Sequence, residues 1–267
     1  LEQTHNAEVI LKQIPNRLLN TAFVYLAGST IEGFGNVGSD IDVFVVSEHL
    51  PEASELGSKE TNQAVIKEKN TIIYNTVLEE LRHDFTFISR EDFGQLITKL
   101  NDFNHQLDRR PDEFDKEDLD FLHRLRFSKM IKVSAEHVAI IQNINFNNLN
   151  FYLALNQSAF YSHVIEDLEG AYQSRDFGTC FFALRKLLEI SATMFLALQG
   201  ETNPNPKWLY RKLQRYCANQ QDMSLLEKYM RLQGYSYDEQ TIGYQLKETI
   251  QFCQYLNDLS QDLLKSK

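Results

Sequence analysis

The sequence predicts an α+β chain: a small mixed β-sheet flanked by helices, followed by an all-α helical bundle. Three observations carry this. Short runs rich in aromatic and β-branched residues, of strand length, all fall before residue 90. Beyond about residue 130 the apolar residues recur at helical spacing, with no convincing strand signal. Gly and Pro are few, 11 and 5, against 18 Phe and 12 Tyr, as in a helix-rich globular chain. At 267 residues the chain can bury a sizeable core in one large domain or two small ones. The change of grammar divides it near residue 125, into 1–125 and 126–267.

Taken in order, residues 7–20 have helical spacing (Val9, Ile10, Leu11, Ile14, Leu18, Leu19), with Pro15 as a break. Ala22–Ala27 is a short apolar run and reads as a buried strand, ending at Gly28-Ser29-Thr30. Gly33–Gly38 is glycine-dense and turn-like, and Asp40–Val46 reads as a second strand. Residues 59–82 are charged and predict a helix, whereas His83–Ile88 alternates and predicts a third strand. Glu91–Leu100 reads as a helix, and the acidic stretch 111–120 leads into another ending near Lys129. After a connection around Asn145–Asn148, amphipathic helices are expected over 148–174, 176–200, 206–218, 222–233 and 238–265. Gly200, Pro204, Pro206 and Gly234 punctuate them.

A net charge of −10 with no basic run argues against nucleic acid as a partner, since phosphate binding calls for a basic surface. The acidity suits a cationic small molecule or a metal–nucleotide complex, or serves only solubility. Cys180, Cys217 and Cys253 are odd in number and lack a C-x-x-C spacing, so a reduced compartment without disulfides or zinc knuckles is expected. Cys180, within Cys180–Leu184, reads as core. No leader or spanning segment is read, so no membrane is expected as a partner and the expected location is cytoplasmic.

One string carries chemistry: Gly28-Ser29, ten intervening residues, then Asp40-Ile41-Asp42 at the head of an apolar strand. Residues two apart on a strand leave on the same face, so Asp40 and Asp42 stand together while Ile41 and Val43 point into the core. Two adjacent carboxylates repel unless a cation lies between them, and hard oxygen ligands suit magnesium. Gly28 lets the backbone approach a phosphate and Ser29 offers a hydroxyl; a helix beginning there would aim amide hydrogens at the anion. Ser39 is a further phosphate candidate. Carboxylates for a metal and donors for an anion are thus expected at one site.

The segment Leu26–Val46 resembles the signature of the DNA polymerase β-like nucleotidyltransferase superfamily, which pairs a Gly-Ser turn with an Asp-x-Asp strand. The resemblance implies a third carboxylate on a later strand, and Asp84 in His83–Phe87 is the best match; Glu79 and Glu80 are alternatives within the helix-like pattern. It implies one or two Mg2+ ions on Asp40, Asp42 and Asp84, with ATP or another nucleoside triphosphate as substrate. Asp84 then either completes the metal site or takes the acceptor's proton. Transfer of AMP to a hydroxyl of an aminoglycoside-like antibiotic or a biosynthetic intermediate follows by resemblance, with release of pyrophosphate. Modification of a protein side chain, as in antitoxin-type relatives, and an inactive nucleotide-binding module are the alternatives.

The second half, with Leu184–Glu189 and Asn205–Leu213, resembles the helical partner domain of kanamycin-type nucleotidyltransferases, expected to complete the substrate cleft. Lys186 and Lys207 are candidates to reach the triphosphate, as is Arg185, although lysines on helices are usually solvated. Trp208 and Tyr210 either stack on a ring or pack. The bundle is also similar to the HEPN class, but no Arg is followed by four to six residues and then a His, against a ribonuclease. Gly33–Gly38 fits G-x-G-x-x-G literally, yet a strand follows it where a dinucleotide fingerprint needs a helix. His83 is expected at the surface, or else donating to a carboxylate.

Overall fold

The computed structural model describes residues 7–57, 63–68, 70–104 and 113–265. Two helical segments, α1 (Ala7–Leu11) and α2 (Asn16–Leu19), break at Pro15 as the ring's fixed φ and missing N–H require. The sheet strands are β1 (Phe23–Ala27), β2 (Ile41–Ser47), β3 (Ala64–Glu68), β4 (Thr71–Leu78), β5 (Leu81–Ser89) and β6 (Lys129–Lys132). Their spatial order is β3-β4-β5-β2-β1-β6. The β2–β5 pair is parallel and every other pair is antiparallel, so the sheet is mixed, as predicted.

The predicted helix over 59–82 is corrected. Residues 59–62 and 69 lie outside the described residues; the remainder forms β3, β4 and the turn into β5. In β4, Ile72, Tyr74 and Thr76 are buried while their neighbours are less so, which is the period of a strand. Along β3 every residue is exposed, so this edge strand has no apolar stripe to reveal it. Glu79 and Glu80 are not helical either. Both have left-handed φ, +49° and +66°, and they close a two-residue hairpin between the paired Leu78 and Leu81.

Two further elements escape the sequence reading. The segment Lys129–Lys132, expected as a helix end, is β6 on the edge beside β1. Its four residues, Met130 and Ile131 between two lysines, are too few and do not alternate, so nothing announces a strand. After it comes α5 (Ala135–Gln142), capped by Ser134, which accepts from the His137 amide at 3.3 Å.

One face of the sheet packs Val24, Leu26, Ile41, Val43, Val45, Phe85 and Phe87 against Ile10, Ile14 and Leu18. On the other face Tyr25 stacks on Phe44 with ring centroids 4.9 Å apart, and Phe23 meets Phe93 of α3 (Arg90–Asp102) and His137 of α5. Both faces are therefore covered along the middle of β1 and β2, which is why these strands read as continuous apolar runs.

The chain divides into two compact units, Leu1–Asp102 with Arg124–Asn145, and Phe103–His123 with Phe146–Lys267. Each unit is made of two stretches of sequence, and one boundary between them falls within α4 (Lys116–Arg126). The second unit contains α6 (Phe146–Gln173), α7 (Phe177–Leu198), α8 (Leu209–Gln220), α9 (Ser224–Gln233) and α10 (Ile242–Lys265), close to the predicted helices. Its core includes Cys180, Leu187, Leu196, Leu213, Cys217, Cys253 and Leu256. All three cysteines are buried and free.

Because a two-residue turn with positive φ at both positions favours Asn-Gly, Glu79→Asn with Glu80→Gly is expected to stabilise the chain by about 1 kcal/mol. A rise in the urea midpoint at constant slope checks this; a loss of stability would contradict the left-handed turn.

Candidate active site

Asp42 is the second residue of β2, in register with Asp84 of β5 on one side and Ala27 of β1 on the other. Registered residues of a parallel pair point to the same face, so the two carboxylates stand side by side. Asp40, two residues upstream in the segment entering β2, lies close enough for its charge to act on Asp42. The structure thus brings Asp40, Asp42 and Asp84 to one end of one sheet face. It is the face that carries Phe44 and Tyr25.

Gly28 ends β1 with φ +88°, and a Cβ there would strike the Asp42 carboxylate, lying 3.1 Å from its Cγ. Only glycine both adopts this φ without strain and leaves room for the acid. Residues 29–33 form consecutive turns, with the Glu32 amide donating to Gly28 O at 3.1 Å and the Phe34 amide to Ser29 O at 2.7 Å. Ser29 Oγ donates to Ser39 Oγ at 3.3 Å, and Ser39 Oγ accepts from the Asn36 amide at 2.8 Å. Thr30 Oγ1 donates to Asp40 O at 3.2 Å. The two serines predicted for phosphate therefore meet beside the carboxylates. Gly35 permits the fold-back, since a Cβ there would sit 3.0 Å from Thr30 Cα.

Burial is the largest influence on Asp42, pushing its pKa up to about 6; Arg124 opposes the rise, and the charges of Asp40 and then Asp84 add to it. Arg124, near the end of α4, makes an ion pair with Asp42 and places its guanidinium 5.8 Å from the Phe44 ring centre. Asp84 accepts from Asn75 Nδ2 at 2.7 Å and from Arg82 Nε and Nη2 at 2.9 Å each, a two-pronged pair. Sequence reasoning missed all three partners. Arg82 was findable, being two residues before Asp84 on an alternating strand. Arg124 leaves no local signal, because it arrives from a distant helix.

The other predicted residues have local contacts of their own. His83 is not at the surface; it is buried, its Nδ1 3.0 Å from Leu81 O, on the strand face opposite Asp84. Burial holds its pKa below the ordinary imidazole value. In the helical unit Lys186 pairs with Glu189 at 3.1 Å, and Lys207 lies 5.0 Å from the Trp208 ring centre. Arg185 donates to Tyr235 O at 2.7 Å and rests on Phe181.

The donor set fits a hard divalent cation in type: carboxylate oxygens, one of them desolvated, in a space that a Cβ at position 28 would fill. Among the described residues no three His, Cys, Asp or Glu side chains are gathered tightly enough to hold a metal.

An acid whose folded pKa is raised binds its proton more tightly folded than unfolded. Protonated Asp42 therefore contributes stability that is present below its ordinary pKa of 3.8 and lost as the pH rises to about 6. Asp42→Asn is expected to remove that loss and leave the metal-free chain at least as stable at pH 7, by on the order of 2 kcal/mol. Urea unfolding from pH 3.5 to 7 measures it. Gly28→Ala, in contrast, is expected to lower stability by about 1–3 kcal/mol through steric conflict with Asp42 and the left-handed φ.

Residues 8–144 match the Nucleotidyltransferase domain family, just over half of the chain. No curated protein matches. Among solved structures, a nucleotidyltransferase-like protein from Exiguobacterium sibiricum 255-15 aligns over 91% of this chain and 71% of its own length, at 11% identity and a TM-score of 0.45. The matched span holds the Gly-Ser turn, the Asp-x-Asp strand and Asp84, and the chain belongs to the nucleotidyltransferase domain family, as an enzyme that draws on a nucleoside triphosphate.

Proposed function

We propose that the chain transfers a nucleoside monophosphate, AMP from ATP, to a hydroxyl of a small molecule. The acceptor oxygen forms a bond to the α-phosphorus, the bond from that phosphorus to the bridging oxygen breaks, and pyrophosphate leaves. One observation carries the reading: Asp42 and Asp84 in register on a parallel pair, with the Asp42 carboxylate against Gly28.

Asp40, Asp42 and Asp84 are the residues that would hold Mg2+, as one or two ions. A divalent cation bound there neutralises charge on the triphosphate and on the oxygens of the transfer. The protein's own part is positioning and electrostatics. Gly28 and Ser29, with Ser39, hold the phosphates by close backbone approach and hydroxyl donation. Asp84 completes the metal set or accepts the proton that the hydroxyl gives up; its bond from Asn75 fixes the carboxylate's orientation for either role. Arg124 keeps the desolvated Asp42 compensated until a cation arrives.

The acceptor is of the polyhydroxylated amine class, an aminoglycoside-like antibiotic or a biosynthetic intermediate. The net charge of −10 favours a cationic acceptor and disfavours nucleic acid. Among the described residues no helix is long and apolar enough to cross a membrane.

Pyrophosphate release from Mg-ATP with a panel of polyhydroxylated amines and nucleosides is expected to identify the acceptor. Asp42→Asn should reduce turnover by at least roughly a thousandfold with no fall in melting temperature. Retained turnover in that variant refutes the assignment. Labelled ATP incubated with a cell lysate separates acceptors: label in small molecules supports the proposal, and label on protein bands shifts it to side-chain modification. Calorimetric binding of Mg-ATP without any release would instead indicate a nucleotide-binding module.

A further inference from the structure

Asp84 is better supplied with donors than a metal ligand awaiting its ion. An ionised carboxylate offers about four acceptor positions, and three donor groups already point at Asp84: Asn75 Nδ2 and Arg82 Nε on Oδ1, and Arg82 Nη2 on Oδ2. Arg82 thus spans both oxygens at 2.9 Å, so a cation held by Asp84 would have to share them with a positive charge. Asp42 is compensated differently. Arg124 is only 26% exposed and leans over Phe44, so it is held in place by its own packing.

The two partners of the Asp84 pair are unequal. The Arg82 side chain is 60% exposed and that of Asp84 only 18%. When the pair opens, Arg82 can move into water at little cost, whereas Asp84 stays on the sheet face beside Asp42 and Asn75. The exchangeable member is the cation.

We propose that Arg82 is a displaceable latch on Asp84: it holds the carboxylate in the metal-free chain and surrenders it to a divalent cation, thereby setting metal affinity. This rests on Asp84 belonging to the metal site as proposed above. Arg82 is a positioning residue here, acting through Asp84 and not on the reacting atoms.

The test is Mn2+ binding to the full chain without nucleotide, followed by electron paramagnetic resonance or calorimetry. Four proteins are compared: unaltered, Arg82→Ala, Arg82→Lys and Asp42→Asn. Arg82→Ala is expected to bind Mn2+ roughly three- to tenfold tighter, the range set by an exposed two-pronged pair plus one lost nearby charge. Arg82→Lys, which keeps the charge but not the fork, should fall between it and the unaltered chain. If Arg82→Ala binds no tighter while Asp42→Asn loses binding, the latch is overturned and the metal site stands. Lysine-substituted protein identical to the unaltered chain, beside a tighter alanine variant, also overturns it, because the effect would then be charge alone. Asp42→Asn binding like the unaltered chain removes the metal site and the latch together.

Discussion

The parallel register of β2 with β5 is the constraint on which the rest depends. It sets Asp42 opposite Asp84, where a slip of one residue would put Asp42 beside His83 or Phe85 and turn one carboxylate into the core. That register is secured by the core face, where Val43 and Val45 lie beside Phe85 and Phe87 and are fully buried. The apolar half of the same two strands thus fixes the position of the acidic half. A parallel pair also needs a long crossover, and the connection between β2 and β5 accommodates β3, β4 and the hairpin turn.

Given that placement, the remaining features answer an electrostatic problem. Aromatic rings line the sheet face, and burial there pushes the Asp42 pKa up to about 6 against a pull from Arg124. Without arginine the ionised group would stand desolvated beside two like charges, an arrangement that folding alone gives no reason to retain. Local rules are expected to fail where function demands it, and acids inside a buried strand are such a failure. The partners divide the work unequally, Arg124 packed in place and Arg82 reaching in from solvent.

What was legible in the sequence follows from range. The strands β1, β2 and β5 are covered on both faces or alternate cleanly, so composition alone announced them, and the long helices of the second unit were read from their apolar period. The hairpin of β3 and β4 was mistaken for a helix because an exposed edge strand carries charge instead of an apolar stripe. Glu79 and Glu80, strong helix formers, occupy a left-handed turn against their preference. There the pairing of Leu78 with Leu81 and the burial of Tyr74 outweigh local propensity. At the site, Gly28, Ser29, Asp40 and Asp42 were readable because they are close in sequence. Their counter-ions were not, since Arg124 reaches Asp42 from a helix 82 positions later.

Gly28 ties the turn after β1 to the carboxylate of Asp42. Its φ of +88° is the conformation that turns the chain out of β1 toward Ser29, and its missing side chain is the space into which the Asp42 carboxylate projects. One position therefore fixes both the turn after β1 and the acid that faces it, and neither can be adjusted without moving the other. The hydroxyls of Ser29 and Ser39 meet across the same loop, and Thr30 bonds the carbonyl of Asp40. The hydroxyls and the carboxylates proposed above to meet an anion and a cation are thereby tied to one another within the protein itself. Such preorganisation is what nucleotidyl transfer requires of a protein whose contribution is position and charge.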